Sequence, residues 1–299
     1  MQLSGQDFHK TRIAPTPSGY LHIGNILSFA LTARLAEQTS AEILLRIDDL
    51  DQQRAQPEYI QDIFDTLGFL QLPWREGSRN TEEFMLNYSQ ALREPIYEHA
   101  LQELVKTGEV FGCSCSRSEI NAGSPDRAYP GTCRHKNIPL DQPGISWRLR
   151  TDAGATVTVK NLDGTITEQS LPAVMQDFVV RKKDGHASYQ LASFCDDVHY
   201  GIDLIVRGQD LYDSTLAQLY LAKLLNNTVF AGTVFYHHPL LLNNGRKLSK
   251  SAGDTSVQYL RRQGWDARKI YRYIGEMAGL REVTSDWGTL GAAYFKTPS

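Results

Sequence analysis

Two short stretches, more than 200 residues apart, carry the side chains best suited to handling phosphate. The first is Pro17-Ser-Gly-Tyr-Leu-His-Ile-Gly-Asn25, between a strand candidate and a helix candidate. Glycines there let backbone amides approach an anion, the start of a helix favours negative charge, and His22 adds a side-chain donor. The second is Asn243-Asn-Gly-Arg-Lys-Leu-Ser-Lys-Ser251, which follows an apolar strand candidate and holds Lys247 and Lys250 on a Gly-containing loop. Such a loop can close over a triphosphate and follow the charge that develops in phosphoryl or nucleotidyl transfer. Alone, each stretch reads more simply as a polar turn or a solvated basic loop. In this order, each beside a strand end, the two point to nucleotide chemistry.

Cysteines form a third constellation. Cys113-Ser-Cys115 and Tyr129-Pro-Gly-Thr-Cys133 place three thiols and a phenol within twenty-one residues. Thiolates are preferred zinc ligands, and a four-coordinate site would pin a segment rich in loops. The usual Cys-x-x-Cys pair is absent, so free thiols remain an equal alternative on spacing alone, and His135 rivals Tyr129 as a fourth ligand. Cys195, beside Asp196, reads as a small buried packing residue.

The elements that must position these groups follow from periodicity. Thr11 to Ala14 and Glu42 to Ile47 read as strands, with a helix from Asn25 to Gln38 between them and another over Tyr59 to Leu67. Strand, helix, strand, helix predicts βαβ units around a parallel sheet. After Val110 the pattern changes. Alternating strands at Ser146–Arg150 and Thr156–Lys160 sit among Gly/Pro turns, as in an inserted subdomain. Strands resume at Ile202–Val206 and Phe235–Leu242 around a helix from Ser214 to Leu225, and Asp266 reads as the N-cap of a helix over Ala267–Met277. The expected divisions are a Rossmann-like first half (1–110), an insertion (111–188), a second half (189–251) and a short helical tail (252–299).

Composition narrows the class. The chain has 299 residues, 31 basic and 34 acidic, for a net charge of −3, and is 41% apolar and 22% charged. This excludes a disordered chain, a disulfide scaffold and a uniformly basic nucleic-acid coat, though not a local basic groove. No run approaches the roughly eighteen apolar residues of a membrane span, and the N-terminus lacks an apolar signal region. A soluble cytoplasmic monomer with no membrane partner is the expectation.

Arg12-Ile-Ala-Pro-Thr-Pro-Ser-Gly-Tyr-Leu-His-Ile-Gly and Lys247-Leu-Ser-Lys-Ser resemble the HIGH and KMSKS signatures of class I aminoacyl-tRNA synthetases. The flanking Arg-x-Ala-Pro-x-Pro-x-Gly narrows the resemblance to the glutamyl/glutaminyl branch. Arg46-Ile-Asp-Asp-Leu-Asp51 with Arg54, Tyr189-Gln-Leu-Ala192, Asp196-Asp197 and Ile205-Val-Arg-Gly208 agree with it. The resemblance implies an α/β Rossmann-like catalytic domain with an acceptor-binding-like insertion, ATP with Mg²⁺, L-glutamate and a tRNA.

By this resemblance Arg12 and Arg207 hold carboxylates, for which the planar guanidinium fork is suited, helped by Ser18 and the Tyr189 hydroxyl. His22, Gly24, Asn25 and Lys250 meet ATP, and Lys247 helps hold the loop closed. Asp48 stands where the family usually has a Glu that meets the substrate ammonium, and Asn25 replaces the last His of HIGH. Cys-x-Cys…Tyr-x-x-x-Cys is similar to the zinc site of the short glutamyl-queuosine tRNA(Asp) synthetases, which implies zinc on Cys113, Cys115, Tyr129 and Cys133. Only 48 residues follow Ser251. That is short for an anticodon-binding region, and this matches the same family. Its members activate glutamate without tRNA and attach it to the queuosine base of tRNA(Asp). The alternatives are a catalytic fragment charging a tRNA 3′ end, an inactive glutamate- or RNA-binding paralogue, and a nucleotidyltransferase acting on a metabolite.

Overall fold

The computed structural model describes residues 7–124, 128–243, 246–247 and 256–296. They form two compact units, one of residues up to Leu92, Ile202–Gln209 and from Phe235 on, the other of Arg93–Gly201 and Asp210–Val234. The divisions at 110 and 188 expected from sequence both fall inside the second unit.

The chain enters the first unit with β1 (Lys10–Ile13), α1 (Ile23–Thr39), β2 (Glu42–Leu45), α2 (Pro57–Phe69), β3 (Glu76–Gly77) and α3 (Thr81–Asn87). The second unit follows with α4 (Glu94–Lys106), β4 (Val110–Cys113), α5 (Arg117–Gly123), β5 (Ser146–Leu149), β6 (Thr156–Asn161), β7 (Ile166–Ser170), β8 (Val179–Arg181) and α6 (Tyr189–His199). After β9 (Leu204–Gly208) in the first unit come α7 (Tyr212–Leu224) and α8 (Thr228–Ala231) in the second. The chain then closes the first unit with β10 (Val234–His238), β11 (Leu242–Asn243), β12 (Arg246–Lys247), α9 (Val257–Arg262), α10 (Ala267–Met277) and α11 (Trp287–Lys296).

The sheet of the first unit runs in the order β3-β2-β1-β9-β10. β1 pairs in parallel with both β2 and β9, and β2 in parallel with β3. All five residues of β9 are buried, as expected of a strand covered on both faces. The run Ile23, Ile26, Leu27, Ala30, Leu31 and Leu35 explains the depth of α1, where apolar residues are not confined to one stripe. α1 packs on β1 and β9, and α10 and α11 cover it from the other side. Pro57 opens α2, where its fixed φ suits a first helical turn, and Asp266 Oδ1 caps α10 by accepting the Lys269 N–H at 2.7 Å.

In the second unit β4, β5 and β8 form an antiparallel sheet, and β6 and β7 an antiparallel hairpin in the register Thr156↔Ser170 to Lys160↔Ile166. Its helices pack around a buried ionic fork. Arg93 Nε and Nη2 donate to the two oxygens of Asp196 at 2.7 and 2.9 Å, and Tyr97 donates its hydroxyl proton to the same carboxylate at 2.7 Å. Among the described residues, no helix is long and apolar enough to cross a membrane.

Candidate functional site

His22 is the N-cap of α1. Its Nδ1 accepts the Gly24 N–H at 3.1 Å, and its own N–H donates to Asn25 Oδ1 at 3.1 Å, closing a reciprocal capping box. An Nδ1 that accepts leaves the proton of the neutral ring on Nε2, so the imidazole offers an N–H donor from its far edge. Gly24 leaves room for this arrangement. A Cβ there would lie 3.0 Å from both His22 Cε1 and Nδ1. Asn25, which departs from the HIGH pattern, supplies the acceptor of the box, and no acidic side chain occupies the first turn of α1.

Arg12 and Arg207 lie on the neighbouring strands β1 and β9, and both are buried. Arg12 Nη1 donates to the Val206 carbonyl at 3.3 Å, and the Arg207 guanidinium lies 5.6 Å from the Phe235 ring centroid. Two residues along β10, the His237 ring stacks on Phe235 at 5.9 Å. Burial first, then the positive charges of Arg207, His238 and Arg12, hold the His237 pKa down at about 3. It therefore stays neutral beside the two arginines. Ser18 lies in the turn between β1 and α1, its N–H donating to the Thr16 carbonyl at 2.9 Å.

Asp48 follows β2 and is buried. Arg46 grips both its oxygens, Nε to Oδ1 at 2.7 Å and Nη2 to Oδ2 at 3.1 Å. An incoming ammonium would share a carboxylate that already carries a guanidinium. The next residue fixes the segment: Asp49 accepts from Ser89 Oγ at 2.6 Å and the Gln90 N–H at 2.7 Å, while Gln90 Oε1 accepts the Leu50 N–H at 2.8 Å. Tyr189 is the first residue of α6 in the second unit, 43% exposed and preceded by the N-cap Ser188. Lys247 is placed by its backbone in β12, which pairs antiparallel with β11. Lys250 lies outside the described residues.

The cysteine cluster belongs wholly to the second unit. The Sγ atoms of Cys113, Cys115 and Cys133 lie within 4.8 Å of one another, with Cys115 and Cys133 at 3.6 Å. Tyr129 Oη is 3.5 Å from Cys113 Sγ and accepts the Cys133 N–H at 2.7 Å. His135 is exposed and outside this group, and Cys195 is buried apart from it. A tetrahedral zinc with bonds of about 2.3 Å separates its sulfurs by roughly 3.8 Å, close to the 3.6 Å between Cys115 and Cys133 and of the order of the spacing in the whole group. Burial, then hydrogen bonding and charge from its neighbours, raises Cys115 to about 11, and burial followed by the Cys113 contact pushes the Tyr129 phenol up. Cys133 falls to about 6, because bonds from Ser114, Cys115 and Tyr129 outweigh its burial. Three sulfurs gathered this closely beside a phenol oxygen are a donor set that a cation would complete.

Sequence reading quoted Arg46 only as part of a motif and left out Phe235, His237 and Asp62. Asp62 had a visible signal, being an acid set among the apolar positions Ile60, Ile63 and Phe64 of α2. The others depend on which strands become neighbours.

Comparisons with known proteins bear on the family and the fold. A family model described as tRNA synthetases class I (E and Q), catalytic domain, matches residues 9–282. A glutamyl-Q tRNA(Asp) synthetase of Nitratidesulfovibrio vulgaris is 35% identical over 283 residues, covering 90% of this chain and 86% of the relative. One from Dechloromonas aromatica is 34% identical over 275 residues, with the same two coverages of 90% and 86%. In fold, the chain resembles the crystal structure of glutamate-tRNA synthetase from Elizabethkingia anophelis, with a TM-score of 0.74 at 20% identity over 95% of this chain. It spans 65% of that crystal chain's length. The chain belongs to the class I tRNA synthetases (E and Q) and, within them, to the glutamyl-Q tRNA(Asp) synthetases, a family of ligases.

Proposed function

We propose that this chain activates L-glutamate with ATP and transfers the glutamyl group to the queuosine base of tRNA(Asp). The observation that carries the first half is the pair of buried guanidiniums, Arg12 and Arg207, on adjacent strands of the unit whose α1 begins at His22. Glutamate brings two carboxylates, and each guanidinium offers a planar fork for one. Asp48 meets the ammonium and shares its charge with Arg46. Ser18 adds a hydroxyl at the same strand end. The second half comes from the relatives, whose names state that acceptor.

The chemistry needs no protein nucleophile. A carboxylate oxygen of glutamate attacks the α-phosphorus of ATP, and the bond to the β,γ-diphosphate breaks, giving glutamyl-adenylate and pyrophosphate. An RNA nucleophile then attacks the acyl carbon and AMP leaves. The protein positions the reactants and stabilises developing charge. His22 Nε2–H donates to the phosphates at the N-terminus of α1, where Gly24 and Asn25 hold the turn. Lys250 follows the charge as pyrophosphate leaves, and Lys247 holds its loop closed. Mg²⁺ enters with ATP and supplies neutralising charge. Cys113, Cys115, Cys133 and Tyr129 would hold zinc, whose chemistry there would be structural, a tie between β4 and the loop carrying Cys133.

Glutamate-dependent exchange of pyrophosphate into ATP, measured without tRNA, tests the activation step. The parent should exchange, Lys250→Ala should lose orders of magnitude, and Arg207→Leu should raise the glutamate KM. A Lys250→Ala rate near that of the parent would remove the assignment.

A further inference from the structure

Asp62 is 4% exposed on α2, a helix whose other acids lie toward solvent. A buried carboxylate costs stability unless specific donors meet it. Here its Oδ2 accepts the backbone N–H of Leu21 at 3.2 Å. The carbonyl of the same residue accepts the Val257 N–H at 2.8 Å, and His22 pairs with Ser256 as an antiparallel bridge. Ser256 also caps α9, its Oγ accepting the Tyr259 N–H at 3.1 Å. Arg261 of α9 lies over Phe69 of α2 at 4.7 Å, and its charge also acts on Asp62. The peptide that leads into His22 is thus held on both edges. One edge is a carboxylate of α2, the other Ser256 and Val257 at the start of α9, six and seven positions after Lys250 in sequence.

We propose that Asp62 is a positioning residue, which through the Leu21 amide fixes the height of the His22 imidazole and registers the start of α9 against it. This rests on the reading above that His22 meets the phosphates of ATP. The reason is geometric. His22 is oriented from its C-terminal side by Gly24 and Asn25, but nothing in that capping box sets how far the turn stands from α2. The Leu21–Asp62 bond supplies a directional constraint there, beside the edge-on packing of the Tyr20 ring against Tyr59 of α2 at 5.0 Å. A displacement of about 1 Å at a positioning group can cost up to a hundredfold in rate. Glu58, Asp65, Arg261 and Arg262 are charged groups of the same cleft, and toward the Leu21 amide the acid acts as an acceptor.

The test is a double-mutant cycle in pyrophosphate exchange, with rates corrected by active-site titration. Asp62→Ala should lower kcat about tenfold or more and raise the ATP KM, leaving the glutamate KM within about twofold. Asp62→Asn, which keeps an acceptor, should recover most of the loss. In a His22→Ala background Asp62→Ala should cost little further, because both changes act through one group. Full additivity, or a parental rate in Asp62→Ala, overturns the proposal. A parent that does not exchange at all overturns the functional reading instead. In that case hydrogen exchange at the Leu21 amide decides: faster in Asp62→Ala and unchanged in Asp62→Asn supports the latch, and equal protection in all three contradicts it.

Discussion

The turn that carries His22 and the loops that carry the cysteines both gather polar groups at one point, by opposite means. In the turn, each orienting bond of the capping box spans two or three residues and pairs a backbone N–H with a side-chain acceptor. The helix would form it with or without a ligand. In the cluster, Cys113 ends β4, Cys115 lies just beyond it, and Tyr129 and Cys133 come from a separate loop, meeting mainly through sulfur contacts of 3.5 to 3.8 Å. Thiols hold one another weakly. The first region is prebuilt by helix geometry, whereas the second is a set of donors that a cation would bind together.

Four substitutions can break or sharpen that contrast, from the largest effect to the smallest. Cys133→Ala should abolish retention of one zinc ion in native mass spectrometry and lower Tm by about 10 °C or more, since metal affinity is folding energy at such a site. An unchanged Tm would mean that the loops hold themselves. Asp196→Ala leaves the Arg93 guanidinium buried without its carboxylate and should cost about 3–5 kcal/mol in denaturant unfolding. Zinc retention in the folded fraction should stay at the parental level, which separates the fork from the metal. Gly24→Val should lower pyrophosphate exchange about tenfold or more by displacing the imidazole, while Tm moves by only a few degrees. A large fall in Tm would show that the turn is not the self-contained piece described here.

The smallest effect concerns acid. His237 has its pKa lowered to about 3 in the folded chain from an ordinary 6.5. The unfolded chain therefore binds more protons between those values, and stability falls as pH drops from about 6.5 toward 3. The slope from this one group is at most about 1.4 kcal/mol per pH unit. His237→Gln should flatten that limb in urea titrations between pH 6.5 and 4, and an unaltered limb would place the acid sensitivity elsewhere.

The same contrast explains what was legible in the chain beforehand. Interactions that close within a few residues leave a pattern, and so β1, α1, β2, α2, the Asp266 cap and the candidate role of His22 could all be read from spacing. Asn25 illustrates the limit even there. It looked like a mild departure from a motif, and only the coordinates show its side chain accepting the His22 N–H. The unit boundaries were less legible. The helices α6 and α7 flank the strand β9 in sequence but pack on β8 and β6 of the second unit, and α6 is tied to Arg93 by an ion pair 103 residues apart. Arg46 was quoted as part of a motif, yet its grip on Asp48 depends on two side chains turning toward the same face. Asp62, Phe235 and His237 gain their meaning only from neighbours brought by the sheet and by α9.

The central claim is that glutamate activated in the first unit goes to queuosine. The direct measurement incubates the protein with ATP, labelled glutamate and total tRNA from cells with and without queuosine, then follows label in the RNA. Label that appears only with queuosine-containing tRNA, and that survives removal of the 3′-terminal adenosine, is the predicted result. Label on tRNA(Glu) irrespective of queuosine, lost with that adenosine, would contradict it.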